Sequence, residues 1–404
     1  MSRVAPTPAM GLTYVVWELT LRCDLACRHC GSRAGRPRAD ELGRDEALEV
    51  VRQLAEMGAT EVTLIGGEAY LHESWTDVIA AVRAAGMSCT MPTGGRGMTP
   101  ERARAARDAG VESVSVSLDG LRAAHDQQRG LDGSFDAALA AIDNLLDAGV
   151  PVSVNSQVNR LSVPDLPAVL ELMADRGCFA WQIALTVPMG RAAERPEWLL
   201  QPWELIEVFP LLASLAARGA ERSVALWPGN NVGYFGPYES VLRGTVRPDT
   251  LVPGCTAGTH LLGIESDGSI KGCPSLPTSP WVGGNVRERP IREVWERSRE
   301  LRYTRDRTVD DLWGFCRGCY YADACRGGCT WTSHVFFGRP GNNPYCHHRA
   351  LELARRGLRE RLVRVEPAPG LPFDHGRWEL VEEPCAPVAV TARPQPRARL
   401  PVVR

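Results

Sequence analysis

The sequence predicts an α/β fold: a partial, TIM-like (β/α)6 barrel followed by a C-terminal cysteine-rich domain. Three observations predict it. Strand-like apolar runs alternate with helical patterns from residue 13 to about 186. Two of those strands carry polar residues along one face. Seven of the 13 cysteines crowd into residues 255–346. Repeated strand–helix units imply a parallel sheet with right-handed crossovers, and six of them fit a barrel or partial barrel.

Residues 1–12 read as an N-terminal arm, and residues 13–186 as the barrel core. Strands are expected at Tyr14–Leu19, Glu61–Ile65, Ser88–Pro92, Ser113–Leu118, Pro151–Gln157 and Trp181–Leu185. Helices are expected near 44–57, 74–85, 100–109, 135–148 and 165–176, with Ser74 and Thr99-Pro100 as helix starts. Ser113, Ser115 and Ser117 share one strand face opposite Val114 and Val116. Ser153, Asn155 and Gln157 repeat the pattern opposite Val152 and Val154. A parallel strand covered by helices should be apolar on both faces, so a polar face suggests a wet, ligand-holding interior. Asn155, Gln157 and Trp181 are expected to point into it. Residues 187–254 form a bridge with a helix near 203–218 and an aromatic segment, Trp227–Tyr238, expected to face substrate. Residues 255–346 form the cysteine-rich domain. Residues 347–404 are expected to be a helix near 347–364 and a poorly ordered tail rich in Pro and Arg.

A chain of 404 residues has room for two or three domains. Its 44% hydrophobic and 23% charged content excludes a disordered chain. A net charge of −2 gives no whole-chain pull toward nucleic acid or an anionic membrane. Neither an 18-residue apolar run nor a secretory signal pattern is present, so we expect a cytoplasmic protein with no membrane partner. In a reducing compartment, clustered cysteines point to metal or catalysis.

Cys23, Cys27 and Cys30 follow the first strand in CDLACRHC. Three thiolates at this spacing can wrap one corner of a four-iron cluster and leave one iron open to a ligand. Zinc is the competing reading, but it usually wants CxxC pairs and a fourth protein ligand. CxxxCxxC after the first strand of a six-unit barrel resembles the radical S-adenosylmethionine (SAM) superfamily. Gly66-Gly67-Glu68 follows the second strand, as that superfamily's Gly-Gly-Glu segment does, and the resemblance implies that it holds the SAM amino group. By the same resemblance Thr93, Ser117, Asp119 and Arg129 contact SAM, and His29 packs on the adenine. Two departures stand out: Ala69 replaces a common Pro, and Gly94 a common Asn.

The later cysteines read C255-x12-G268-x4-C273, C316-x2-C319-x5-C325-x3-C329, then C346. This is similar to the SPASM extension of radical SAM enzymes. The resemblance implies two auxiliary clusters. Cys316, Cys319, Cys325 and Cys346 would complete one, and Cys255, Cys273 and Cys329 would hold the other, nearer the active site. No cysteine follows Cys255 closely, so the near cluster keeps an open iron or recruits His260 or another group. Cys89 and Cys178 read as packed hydrophobes, and Cys385 lies in the tail.

With three [4Fe–4S] clusters, the resemblance implies about twelve irons per chain. It implies reductive cleavage of SAM to a 5′-deoxyadenosyl radical, which abstracts hydrogen from substrate. Such relatives mostly oxidise or cross-link ribosomally made peptides and proteins (RiPP maturation), so a precursor peptide or protein is the expected substrate. A flavodoxin- or ferredoxin-type electron donor and a separate leader-peptide recognition protein are the other expected partners. A small-molecule dehydrogenase or a tetrapyrrole-tailoring enzyme is the alternative.

Overall fold

Seven parallel strands lie side by side in chain order in the computed structural model, which describes residues 11–243 and 254–386 and the backbone of 3–4 and 250–251. They are β1 (Tyr14–Thr20), β2 (Glu61–Gly66), β3 (Ser88–Thr93), β4 (Ser113–Ser117), β5 (Val152–Val158), β6 (Ala180–Leu185) and β7 (Ala225–Pro228). Connecting them are α1 (Arg44–Glu56), α2 (Trp75–Ala84), α3 (Pro100–Ala109), α4 (Arg122–Arg129), α5 (Ser134–Asp147), α6 (Leu166–Asp175) and α7 (Leu205–Glu221). The six expected strands and five expected barrel helices appear with ends within one residue of expectation. Thr99 caps α3 by accepting the Arg102 N–H at 3.3 Å, with Pro100 at the first helical position, whereas Ser74 makes no capping bond.

The helix-covered face of the sheet is apolar: Val15, Trp17, Val62, Leu64, Val114, Val116, Val152 and Val154 are buried in one large core. The other face carries the polar row foreseen for a wet interior. Register places Ser117 beside Asn155, Asn155 beside Gln182, and Gln182 beside Trp227. Trp181 departs from expectation. It pairs with Val154 on the helix-covered face and donates its indole N–H to Ser156 Oγ at 2.9 Å, so Gln182 takes the interior position.

Six strands, in three places, were not foreseen. Strand β7 lies in the bridge and runs into the start of the aromatic segment. On the other side of β1 the sheet continues through β8 (Leu261–Ile264), parallel to β1, and antiparallel β9 (Ser269–Lys271) and β10 (Val282–Asn285). The cysteine-rich region is therefore joined to the barrel by backbone hydrogen bonds. Near the C-terminus, α8 (Thr330–Phe337) precedes α9 (His347–Arg355), and α9 stops short of the expected 364. The chain then forms an antiparallel hairpin, β11 (Leu358–Glu366) and β12 (Arg377–Pro384), in place of a disordered tail. Alternation drives it. Glu360 pairs with buried Arg349 and Leu362 enters the core, while Arg359 and Arg361 reach Glu383 across the hairpin. Most of the N-terminal arm, residues 244–249 and 252–253 of the bridge, and the tail from 387 lie outside the described residues.

Among the described residues one segment, Pro196–Glu221, is long and apolar enough by composition to cross a membrane. Half of it is buried in the protein, with Leu205, Phe209 and Leu212 in the core, as for an internal helix.

Candidate functional site

The loop after β1 brings the first three cysteines together at the carboxyl end of the sheet. Its shape comes from backbone bonds: Cys23 N donates to Gly35 O at 3.2 Å, Arg28 N to Gln128 O at 2.8 Å, and Cys30 N to Cys27 O at 3.2 Å. Arg191 Nε secures the Cys27 carbonyl at 2.7 Å. Burial, then the Glu68 charge, pushes the Cys23 thiol up to about 12, with Cys27 and Cys30 adding to the effect. Burial raises Cys27 against the opposing charge of Arg129, whose guanidinium lies 3.6 Å from its sulfur. Such thiols keep their protons at neutral pH unless a bound cation displaces them. The Cys23 sulfur also has the charges of Cys27 and Cys30 close enough to act on it, as three ligands of one centre would.

Gly66 and Gly67 let the β2 end cross this loop at close range. A Cβ at Gly66, where φ is +154°, would lie 2.1 Å from Thr20 O, and one at Gly67 would lie 2.7 Å from Cys23 Cβ. The Glu68 carboxylate then meets Cys23 and Asp24, with the three donor atoms within 4.8 Å of one another. It accepts from Thr93 Oγ1 at 2.8 Å and Gly94 N at 2.5 Å. Burial still pushes Glu68 up to about 7. A buried carboxylate so placed is stabilised by an incoming cation such as an ammonium group.

A second group forms beside Cys27. Asp119 is fully buried, with Arg129 Nη2 at 2.5 Å and the Gln157 N–H at 2.9 Å. Burial, the largest influence, would raise Asp119, but Arg129, the neighbouring His29 and His125 and the Gln157 N–H together hold the carboxyl low. Burial pushes His29 down to about 4, so its ring is neutral at pH 7 and its 3.4 Å contact with Asp119 is not an ion pair. His29 Nδ1 faces Gln128 O at 3.2 Å. Ser117 stands on the interior row, where Ser115 Oγ and Asn155 Oδ1 are buried without hydrogen-bond partners. Converging thiols, glycine close approaches and these unpartnered polar atoms fit a cluster and a polar nucleotide ligand.

The later cysteines separate into two sets. Burial, then Cys255 and Cys329, pushes Cys273 up to about 12. Burial, then Cys346, Cys316 and Cys319, raises Cys325, and Cys346 responds to Cys316 and Cys319 in turn. Cys255 and Cys273 pack beside Tyr14, Ile65 and Tyr303, next to the barrel. Cys89 and Cys178 lie in the apolar core. Cys178 precedes β6, at the strand end opposite the cysteine loop.

Several participants carried no sequence signal. Tyr70 donates to Asp24 at 2.9 Å. Trp331 Nε1 contacts Met189 Sδ at 2.9 Å, and Met189 lines Gly31. A largely half-buried aromatic run joins Tyr303 to Trp281 (centroids 4.9 Å apart), Trp281 to His334 (5.2 Å) and His334 to His375 (4.9 Å). A cavity of about 700 Å³ opens beside Cys23, lined by Arg33, Arg36, Arg38, Arg96 and Arg191.

Residues 17–178 match the family model described as the radical SAM superfamily, and residues 255–320 match the SPASM iron–sulfur cluster-binding domain. The chain is 30% identical over 350 residues to the AdoMet-dependent heme synthase of Methanosarcina barkeri, covering 83% of this chain and 96% of that protein. It is 28% identical over 393 residues to the mycofactocin maturase MftC of Mycobacterium tuberculosis, covering 95% of this chain and 93% of that one. In structure it is similar to SuiB of Streptococcus suis bound to S-adenosylmethionine, with a TM-score of 0.66 at 14% identity over 83% of this chain and 76% of SuiB.

Proposed function

We propose a function for a chain that belongs to the radical SAM superfamily and carries its SPASM domain: it abstracts hydrogen from a ribosomally made peptide and oxidises or cross-links it. Bound by Cys23, Cys27 and Cys30, a [4Fe–4S] cluster would supply one electron to the sulfonium of SAM, opening its C–S bond to methionine and a 5′-deoxyadenosyl radical. The chain's own residues bind and orient. Glu68, braced by Thr93 and Gly94, receives the SAM amino group. Asp119, Arg129 and His29 take the polar groups of the nucleoside, and Ser117 and Asn155 line the interior beyond them. The C-terminal cysteine sets would hold two clusters able to accept the electron left on substrate.

The single observation that carries the peptide reading is the open edge beside this site. Strand β7 ends the sheet, with no further strand paired to it among the described residues. Trp227 on β7 is 49% exposed and stands in register with Gln182 and Asn155. An extended peptide can add to such an edge and pass a side chain along the polar row. Similarity to the mycofactocin maturase supports this reading. Similarity to the heme synthase favours a second one, a tetrapyrrole substrate.

The electron donor we infer is a small acidic carrier of the flavodoxin or ferredoxin type. Among the described residues, Arg22, Arg28 and Arg36 are exposed around the cysteine loop without a carboxylate partner, and Arg96 and Arg191 bond backbone carbonyls there. We place the enzyme in the cytoplasm, with a separate protein presenting the peptide leader. The test is incubation of reduced, reconstituted enzyme and SAM with peptides encoded beside its gene, and separately with iron coproporphyrin III. Mass change in a peptide, with its hydrogen in 5′-deoxyadenosine, supports the first reading. Turnover of the tetrapyrrole alone replaces it with the second.

A further inference from the structure

The set assigned beside the barrel holds three cysteines, and the stretch between Cys255 and Cys273 holds no other cysteine. His260 is engaged through one nitrogen: its Nδ1 faces the Gly11 carbonyl at 3.1 Å, while its Nε2 is buried without a partner among the described residues. Tyr303 has no such engagement. Its hydroxyl is buried without a hydrogen-bond partner. A Cβ at Gly272, the residue before Cys273, would lie 3.2 Å from that hydroxyl and 3.1 Å from the ring. The ring packs in the same small cluster as Cys255 and Cys273, around Val16, Ala257 and Leu261.

The groups facing Tyr303 are few. Cys273, Cys255 and Cys329 lie close enough for their charges to act on its hydroxyl, and the Arg307 guanidinium lies 6.0 Å from the ring centroid. Trp281 holds the ring edge-to-face at 4.9 Å. Its neighbour Thr304 directs a hydroxyl toward Cys255 Sγ at 3.9 Å. A buried hydroxyl without a partner costs about 1–3 kcal/mol. The anionic groups whose charge acts on this one most are the sulfurs of Cys273 and Cys255.

We propose that the Tyr303 hydroxyl donates a hydrogen bond to the iron–sulfur cluster held by Cys255, Cys273 and Cys329, and so sets its reduction potential. This rests on the assignment of those three cysteines to a cluster. A phenol is protonated at neutral pH and can only donate to sulfide or thiolate. Such a bond stabilises the extra negative charge of the reduced cluster and raises its potential. Tyr303 is thus a positioning and tuning residue that makes this cluster a better acceptor for the electron left on substrate.

The test uses the full-length protein with all clusters, titrated electrochemically and followed by electron paramagnetic resonance. Tyr303→Phe keeps the ring against Trp281 and removes one oxygen. We expect unchanged iron content, a negative shift in the midpoint potential of the near cluster, and loss of an exchangeable deuteron coupled to it after transfer to heavy water. Replacing the tyrosine by 3-fluorotyrosine, a stronger donor of the same shape, should shift the potential the opposite way. Unchanged potential and deuteron coupling in Tyr303→Phe would overturn the proposal with the cluster assignment intact. Unchanged iron content in Cys273→Ala, which leaves no donor atom, would overturn the assignment itself, and the proposal with it.

Discussion

Replacing Gly67 with alanine should disable the chemistry while leaving the fold standing. A Cβ at this position would lie 2.2 Å from the Arg22 carbonyl oxygen, 2.6 Å from its carbon and 2.7 Å from Cys23 Cβ. These are backbone atoms and a Cβ, which cannot swing aside as the end of a long side chain can. Reaching even 3.0 Å from the oxygen requires a retreat of about 0.8 Å. The same carbonyl accepts the Glu68 N–H at 2.9 Å, so Cys23 and Glu68 are displaced together. Overpacking of this kind costs about 1–3 kcal/mol of stability. Misplacing reacting groups by about 1 Å lowers rate on the order of 10²-fold. The assay is 5′-deoxyadenosine formed per reconstituted chain, with the melting temperature measured alongside. Gly35→Ala is the control, since a Cβ there meets nothing within 4 Å on the same loop. A Gly67→Ala protein that matches the wild type in iron content and rate would refute the reasoning.

Other outcomes follow from the same geometry. Asp119→Asn leaves the buried Arg129 without its carboxylate, which should lower unfolding free energy by about 3–5 kcal/mol in urea titrations. Burial pushes His125 and His334 down to about 4, so the folded rings are neutral where unfolded ones, near 6.5, take a proton. Stability should therefore fall as pH drops from about 6.5 toward 4, by up to about 3 kcal/mol per ring, and His125→Gln should flatten the dependence seen in urea midpoints at pH 7 and 5. Arg36→Glu with Arg96→Glu should raise the KM for an acidic electron donor several-fold at low salt, with little change when dithionite supplies the electron. A KM indifferent to both charge and salt would place the donor elsewhere.

The barrel was legible because its signals are local. Period-two alternation and helix periodicity located six strands and five helices, and the resemblance to the SPASM extension sorted the later cysteines into two sets. What escaped was long-range or disguised. Pairing of Leu261 with Tyr14 joins residues far apart in the chain and leaves no local trace. Strand β7 hides among Pro, Gly and Asn. The residues 358–366 alternate inward and outward, but their Arg and Glu content reads as a helix continuing from α9. Trp181 is expected in the interior with Asn155 and Gln157, whereas strand register puts Gln182 beside Asn155. Tyr303, Trp281 and His334 belong to no motif and meet only in the folded chain.

Anaerobic incubation of reduced, reconstituted protein with SAM alone probes the heart of the matter. We expect methionine and 5′-deoxyadenosine in equal amounts, and neither from Cys27→Ala. Protein that holds its full iron, is demonstrably reduced and still leaves SAM intact would contradict the role given to Cys23, Cys27 and Cys30.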